Sequence, residues 1–160
     1  HGNEPSHHIP YLYAWTNQPW KTQYWMREII NRMYRPDIHG LGGNDDCGQM
    51  SAWYIFSVLG FYPVCPGSDQ YVFGAPYLPN AKIALPNGNT LEVKADGVSD
   101  TNRYVKKVLR NGVECKKLYI THDDLLLGGT IELVMTSKPN KARGQKPEDK
   151  PYSLSKKSRK

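Results

Sequence analysis

Long apolar runs are missing from this sequence. No stretch of roughly 18 or more apolar residues occurs, so no membrane span is predicted. A basic stretch followed by an apolar one is also missing from the N-terminus, so no signal peptide is visible. Because the chain starts at His1 rather than at Met, we expect a fragment of a longer polypeptide. The missing signal peptide then says nothing about the parent protein.

Cysteine is scarce and widely spaced. Cys47, Cys65 and Cys115 form no Cys-x-x-Cys pair, which argues against a structural zinc site. Their odd number and wide spacing also argue against a disulfide framework, although a single bridge stays open.

Most of the chain lacks an excess of positive charge, although the formal net charge of the whole sequence is +6. Residues 1–137 hold 12 Lys and Arg against 13 Asp and Glu, whereas residues 138–160 hold 9 against 2. A nucleic-acid interface needs a basic face on the folded part, and this distribution offers none. We therefore expect no nucleic-acid partner.

The apolar pattern predicts helices followed by strands. Helical spacing covers residues 19–35 and 47–59, and a short helix could start near Ser6. Strand patterns lie at 71–74, 81–85, 90–95, 103–109, 113–119 and 130–135. Asn-Gly signals at 87–88 and 111–112 predict hairpins.

These elements predict an α+β fold in three regions. Residues 1–66 form a helical part, residues 67–137 a small antiparallel β-module, and residues 138–160 a disordered basic tail. Two helices cannot bury their own apolar faces, so the second helix implies partner helices outside this chain.

Asn3, Glu4, His7 and His8 form the first cluster of polar groups. Amide and carboxylate oxygens suit a hard cation such as calcium, whereas the two imidazoles could instead bind zinc. The simplest alternative is a capped helix start with surface histidines.

The second cluster follows two glycines and comprises Asn44, Asp45, Asp46 and Gln49. One aspartate could be a helix N-cap, while paired carboxylates on a glycine-rich turn also suit a general base or a metal site. A third acidic turn at residues 121–124 fits ordinary turn chemistry.

Four segments in this order resemble glycoside hydrolase family 92, and the resemblance as a whole covers about residues 1–140. They are His-Gly-Asn-Glu-Pro-Ser-His-His-Ile-Pro-Tyr at 1–11, Gln-Pro-Trp-Lys-Thr at 18–22, Gly-Asn-Asp-Asp-Cys-Gly-Gln-Met-Ser-Ala-Trp at 43–53, and Leu-Gly-Phe-Tyr-Pro-Val-Cys-Pro-Gly at 59–67. Residues 71–76 and 118–124 continue the match. The basic tail from about residue 141 has no counterpart that we recognise.

The resemblance implies a calcium-dependent, inverting exo-α-mannosidase. Family members join an N-terminal β-sandwich to an (α/α)6 barrel-like domain that closing strands follow. This chain would then supply the terminal barrel helices and the closing strands, as a C-terminal fragment. The parent would act on mannose-containing glycans, and we expect it to be secreted, periplasmic or on the cell surface.

The resemblance also implies roles for individual residues. Asp46 is the first candidate for the general base, with Asp45 as the alternative because Asn44 stands where many members carry an acid. Glu4 and Asn3 would bind Ca²⁺, which would grip the 2- and 3-hydroxyls of mannose. The residues expected to line the sugar site are His7, His8, Asn44 and Trp53.

The general acid is expected in a Glu-Gly-Asn-Ala-Trp motif, which this chain lacks. We therefore expect the isolated chain to release no mannose, even with calcium. The alternative is a sugar-binding module without catalysis. Nucleic-acid binding through the basic tail is a third hypothesis, which the charge distribution disfavours.

Overall fold

A computed structural model describes residues 1–157. The N-terminal part begins with two short 3₁₀ helices, Glu4–Ser6 and Ile9–Trp15, and continues with helix α1, Trp20–Met33. A 3₁₀ turn, Asp46–Gly48, leads into helix α2, Gln49–Leu59, and a short helix α3, His122–Leu126, lies late in the chain. Within residues 1–157, no helix combines the length and the hydropathy that a membrane-spanning helix needs.

Helix α2 has well-defined ends. It begins two residues later than the sequence predicts, because Cys47 and Gly48 have left-handed backbone angles, φ 53° and 78°. Gly60 ends it at φ 98°, and its N–H donates to the carbonyls of Phe56 and Ser57. Glycine is the residue that adopts such a C-terminal cap without strain.

Within residues 1–157, eight strands follow α1 and α2. They are β1 Phe61–Tyr62, β2 Gln70–Phe73, β3 Asn80–Ala84, β4 Thr90–Lys94, β5 Tyr104–Arg110, β6 Val113–Cys115, β7 Tyr119–Thr121 and β8 Gly129–Thr136. Both hairpins that the Asn-Gly signals predict are confirmed, since β3 pairs with β4 and β5 with β6. The segment predicted as one strand at 113–119 is instead divided between β6 and β7, which lie in different sheets.

The strands form two sheets, with orders β1-β2-β7 and β3-β4-β8-β5-β6. All described pairs are antiparallel except β4 and β8, which run parallel. The predicted α+β class is therefore confirmed, and the described helices close no barrel.

Strand β2 connects two apolar cores. Val72 packs with Tyr11, Met26 and Trp53 in the helical core, whereas Phe73 packs with the core of the larger sheet. Successive strand residues point to opposite faces, so one short strand serves both cores.

The C-terminal segment folds back over the protein. This differs from the disorder predicted for residues 138–160, of which residues 158–160 lie outside the described part. Arg143 donates to the carbonyls of Cys115 and Lys117, and Leu118 N–H donates to the carbonyl of Asp149. Trp15 Nε1 donates to the carbonyl of Tyr152. These hydrogen bonds, together with the close packing of Gly144 on Leu118, hold the segment in place.

Candidate active site

The two polar clusters of the sequence meet through their glycines. A Cβ added to Gly43 would overlap the carbonyl oxygen of Gly2, and one added to Gly2 would lie 3.3 Å from the carbonyl oxygen of Gly42. Residues with side chains cannot approach this closely, so glycine is required where the 42–48 loop crosses the N-terminal segment.

Glu4 is fixed by the second cluster. It opens the first 3₁₀ helix, and Gln49 Nε2 donates to its Oε2 at 2.5 Å. Its own backbone N–H and then Gln49 lower the pKa of Glu4, so the exposed carboxylate is ionised at neutral pH. Asn3 is also exposed, and its backbone carbonyl accepts from Ser6. Both residues predicted as metal ligands therefore lie at the surface, and Glu4 contacts Gln49.

The two neighbouring aspartates have different surroundings. Asp45 Oδ2 accepts from Ser51 Oγ at 2.7 Å and Oδ1 accepts from Ser51 N–H at 3.0 Å, and these bonds lower its pKa. Asp45 thus stabilises the start of α2 through Ser51, although the N-cap residue of the helix is Gly48 and not an aspartate as predicted. The carboxylate of Asp46 makes no hydrogen bond or ion pair within residues 1–157 and is exposed, as is Asn44.

The two histidines also differ. His7 is 5% exposed, with Nε2 3.2 Å from Met50 Sδ and its carbonyl accepting from Trp53 Nε1 at 3.0 Å. Burial lowers the pKa of His7 and so favours the neutral ring. His8 is exposed. Of the pair, His8 presents its side chain to solvent, and His7 belongs to the packing beneath the site.

Trp53 lies in the core. Its exposure is 0%, and its ring stacks on Tyr34 with centroids 5.7 Å apart. The ring has no free face for a sugar in the described chain, which differs from the direct contact expected from the sequence. It supports the site instead, through its hydrogen bond to His7 and its contact with His1, 4.1 Å between centroids.

Three further residues position the site; sequence reasoning placed Gln49 in the second cluster without a specific role and gave none to Ser51 or Tyr34. Ser51 anchors Asp45, Tyr34 OH lies 2.9 Å from His1 Nε2, and Gln49 holds Glu4. Of these, the position of Ser51 within the first turn of a predicted helix could have suggested a capping partner. The contact of Tyr34 joins residues 33 positions apart, which no local pattern reveals.

Glu4 and Asn3 offer the oxygen ligands that calcium prefers, but two residues are too few to complete its coordination. Calcium takes roughly six to eight oxygen ligands. Within the described residues, no three His, Cys, Asp or Glu side chains come together to hold a metal. Two ligands from this chain would therefore need backbone carbonyls, water, substrate or other polypeptide to complete a site.

The matches to known proteins include the segments that carry the sequence resemblance. A model of the "Glycosyl hydrolase family 92 catalytic domain" matches residues 1–137. A family GH92 α-mannosidase of Bacteroides thetaiotaomicron, solved with mannoimidazole, is similar with a TM-score of 0.92 and 45% identity over 96% of this chain. A family GH92 inverting mannosidase of the same organism gives a TM-score of 0.91 and 45% identity over 97%.

A curated relative from Arthroderma benhamiae, an uncharacterized secreted glycosidase, is 30% identical over 156 residues, or 96% of this chain. Residues 1–137 alone could not give such coverage, so the C-terminal segment has counterparts in these relatives, contrary to the expectation for the tail. The chain spans only 20% of this relative and 20% and 21% of the two solved enzymes.

Proposed function

This chain belongs to glycosyl hydrolase family 92, and we propose that it is part of a longer glycosidase that removes terminal α-linked mannose with inversion. The contact between Gln49 and Glu4 carries this proposal, because it joins the two motif segments at one exposed surface. The two mannosidases at 45% identity support the substrate class, and one of them is described as inverting.

Asp46 is the general base in this proposal. An inverting glycosidase needs one carboxylate that takes a proton from water and one acid that protonates the leaving oxygen. Asp45 is engaged by Ser51, whereas the carboxylate of Asp46 is free to accept a proton. The water then attacks the anomeric carbon as the glycosidic bond breaks. This choice favours Asp46 over Asp45, which the sequence left open.

The acid comes from polypeptide outside residues 1–160. Glu4 is the other carboxylate at this surface, and its hydrogen bond to Gln49 and lowered pKa favour the ionised form. An ionised carboxylate is a poor proton donor and a good cation ligand. We therefore assign Glu4, with Asn3, to calcium, and His8 and Asn44 to the sugar rim.

Calcium, when bound, would supply a charge that holds two neighbouring sugar hydroxyls. Glu4 and Asn3 would contribute two of the oxygen ligands of the ion. Gln49 would hold the Glu4 carboxylate in position through its hydrogen bond. Calorimetric titration with CaCl₂ of the longer polypeptide that contains this chain, and of its Glu4→Gln variant, tests this role. Equal affinities of the two proteins for Ca²⁺ would show that Glu4 is not a calcium ligand.

A chimera tests the activity. In it, this chain replaces the segment that it matches in the mannoimidazole-bound Bacteroides enzyme. We expect the chimera to release mannose from an α-mannobioside and the isolated chain to release none. Mannose release by the isolated chain would refute the proposal that its active site is incomplete. A folded chimera that binds mannose but never hydrolyses the bioside would favour the sugar-binding module.

A further inference from the structure

Two basic segments of the chain lie side by side in this structure. Residues 103–117, which contain β5 and β6, hold 6 Lys and Arg against 1 Glu, and residues 138–157 hold 7 against 2 acidic residues. Residues 1–102 and 118–137 hold 6 against 12. The formal charge is therefore +10 on the two segments together and −6 on the rest of the described chain. Folding concentrates the positive charge in a way that its distribution along the sequence does not show.

Hydrogen bonds join the two basic segments. Asn140 Nδ2 donates to the carbonyl of Lys106 at 2.7 Å, and Arg143 donates to the carbonyls of Cys115 and Lys117 at 2.8 and 2.7 Å. A cavity of about 280 Å³ lies between the segments, and both of them line it. Because like charges repel, an anion bound in this cavity would stabilise the arrangement.

Four cations line the cavity, Lys106 and Lys116 from the β5–β6 hairpin and Arg143 and Lys146 from the C-terminal segment. Within residues 1–157, the ammonium groups of these three lysines form no ion pair and donate no hydrogen bond. Burial lowers the pKa of Arg143, because it disfavours the charged form of the guanidinium. Arginine nevertheless stays charged in proteins, and the two carbonyls fix its position. The cavity therefore has a preorganised cation and three more cations beside it.

Two carboxylates in the lining, Glu114 and Asp149, narrow the choice of ligand. Lys and Arg bind phosphate and similar oxyanions through charge-assisted hydrogen bonds, whereas ionised carboxylates repel anions and accept hydrogen bonds from hydroxyl groups. A ligand with one anionic group and several hydroxyls matches both kinds of group, and a continuous polyphosphate chain does not. The volume is just below the roughly 300–1,000 Å³ of common ligand pockets, which suits a single sugar residue.

We infer that this cavity binds the phosphate or sulfate group of a sugar ester, whose hydroxyls donate to the carboxylates of the lining. The lining residues belong to the β-module and the C-terminal segment, and none of them belongs to the candidate active site. Binding here would hold an anionic glycan on this part of the protein. The inference therefore does not depend on the proposed mannosidase activity.

An NMR titration of the ¹⁵N-labelled chain tests the inference, and the same spectra show whether the chain is folded. The probes are mannose 6-phosphate, inorganic phosphate and mannose, each at about 0.15 M NaCl, where charges more than about 8 Å apart are largely screened. We expect mannose 6-phosphate to shift the amide signals of Lys116 and Gly144 until they saturate. Inorganic phosphate is expected to bind more weakly, and mannose to leave both signals unchanged.

Lys116→Gln and Lys117→Gln form a matched pair of variants. Both remove one charge from neighbouring exposed residues, but only Lys116 lines the cavity. Lys116→Gln is expected to weaken the binding of mannose 6-phosphate about tenfold, which is the loss of one hydrogen bond to a charged group. Lys117→Gln should leave the affinity nearly unchanged. Calorimetric titration of the same two variants in the folded chimera makes this comparison if the isolated chain does not keep its fold.

Several results would overturn the inference. One is the absence of binding by mannose 6-phosphate, and another is an equal loss of affinity in both variants, which would indicate a diffuse attraction to the basic segments. Equal affinities for inorganic phosphate and the ester would mean that the cavity takes the free ion and that the sugar hydroxyls contribute nothing. A single-stranded oligonucleotide that binds more tightly than the ester would assign these segments to nucleic acid instead.

Discussion

Gln49 donates a hydrogen bond to the Glu4 carboxylate across a separation of 45 residues. Gln49 is the first residue of α2, and Asp46 opens the 3₁₀ turn before it. The contact therefore couples the proposed cation ligand to the backbone that carries the proposed base. In a glycosidase, the spacing of such groups decides where water and sugar can sit.

The approach of Gly43 to Gly2 predicts a sharp steric requirement. Gly43→Ala would place a methyl group on the Gly2 carbonyl and push the two segments apart. A displacement of about 1 Å in a catalytic site can reduce the rate about 10²-fold, so we expect a loss of this size in kcat of the chimera. Steady-state kinetics on α-mannobioside measures it.

Gly67→Ala is the matched control, because nothing lies within 4 Å of the added Cβ and the backbone there is not left-handed. It should leave kcat unchanged. If Gly43→Ala is equally silent, the close approach of the two segments has no part in the activity.

Asp46→Asn separates the two aspartates. A general base contributes roughly 10²- to 10⁴-fold to the rate, and we expect a loss of kcat in that range with little change in thermal stability. Asp45→Asn should instead lower stability, because Asp45 anchors Ser51. Asp96→Asn, at an exposed carboxylate in the β-module, should change neither. The reverse pattern for the first two variants would make Asp45 the base.

Local patterns predicted much of the fold because they act over short distances. Asn111 and Gly112 adopt φ of 48° and 82°, as a tight hairpin turn requires, and β5 pairs with β6 around them. The parallel pairing of β4 with β8 joins Leu91 to Gly129, and no local signal encodes such a contact.

The sequence identified the polar residues of the candidate site, but not which of its other residues would be buried beneath them. Carboxylates near glycines in loops are visible in a sequence, and the structure places Glu4 and Asp46 at the surface. The burial of His7 and Trp53 depends on packing against distant residues such as Met50 and Tyr34, so their expected contact with sugar could not be judged from the motif.

The hydrogen bonds of Asp45 predict a pH dependence of stability. Ser51 holds the pKa of Asp45 below that of an unfolded aspartate, which is about 3.9. The stabilisation is therefore complete above that unfolded value and is lost as pH falls through the folded pKa. We expect the difference in Tm between wild type and Asp45→Asn to be constant at neutral pH and to shrink below about pH 4.

Ser51→Ala supplies the control for that titration, because it removes the hydroxyl that contributes most to the lowered pKa. In a Ser51→Ala background, the effect of Asp45→Asn should depend less on pH. A difference that is the same size at every pH would mean that Asp45 does not stabilise the fold through its charge.

Gly144 tests whether the C-terminal segment is part of the folded structure. Its backbone is left-handed, φ 69°, and an added Cβ would lie 2.5 Å from Cδ1 of Leu118, which is 3% exposed. Gly112 has a similar φ of 82° but nothing within 4 Å of its Cβ. Both alanine variants carry the backbone strain of about 1 kcal/mol, whereas Gly144→Ala adds an overpacking cost of about 1–3 kcal/mol. Urea unfolding of the chain measures the difference, and equal losses would mean that the segment does not pack on Leu118 in solution.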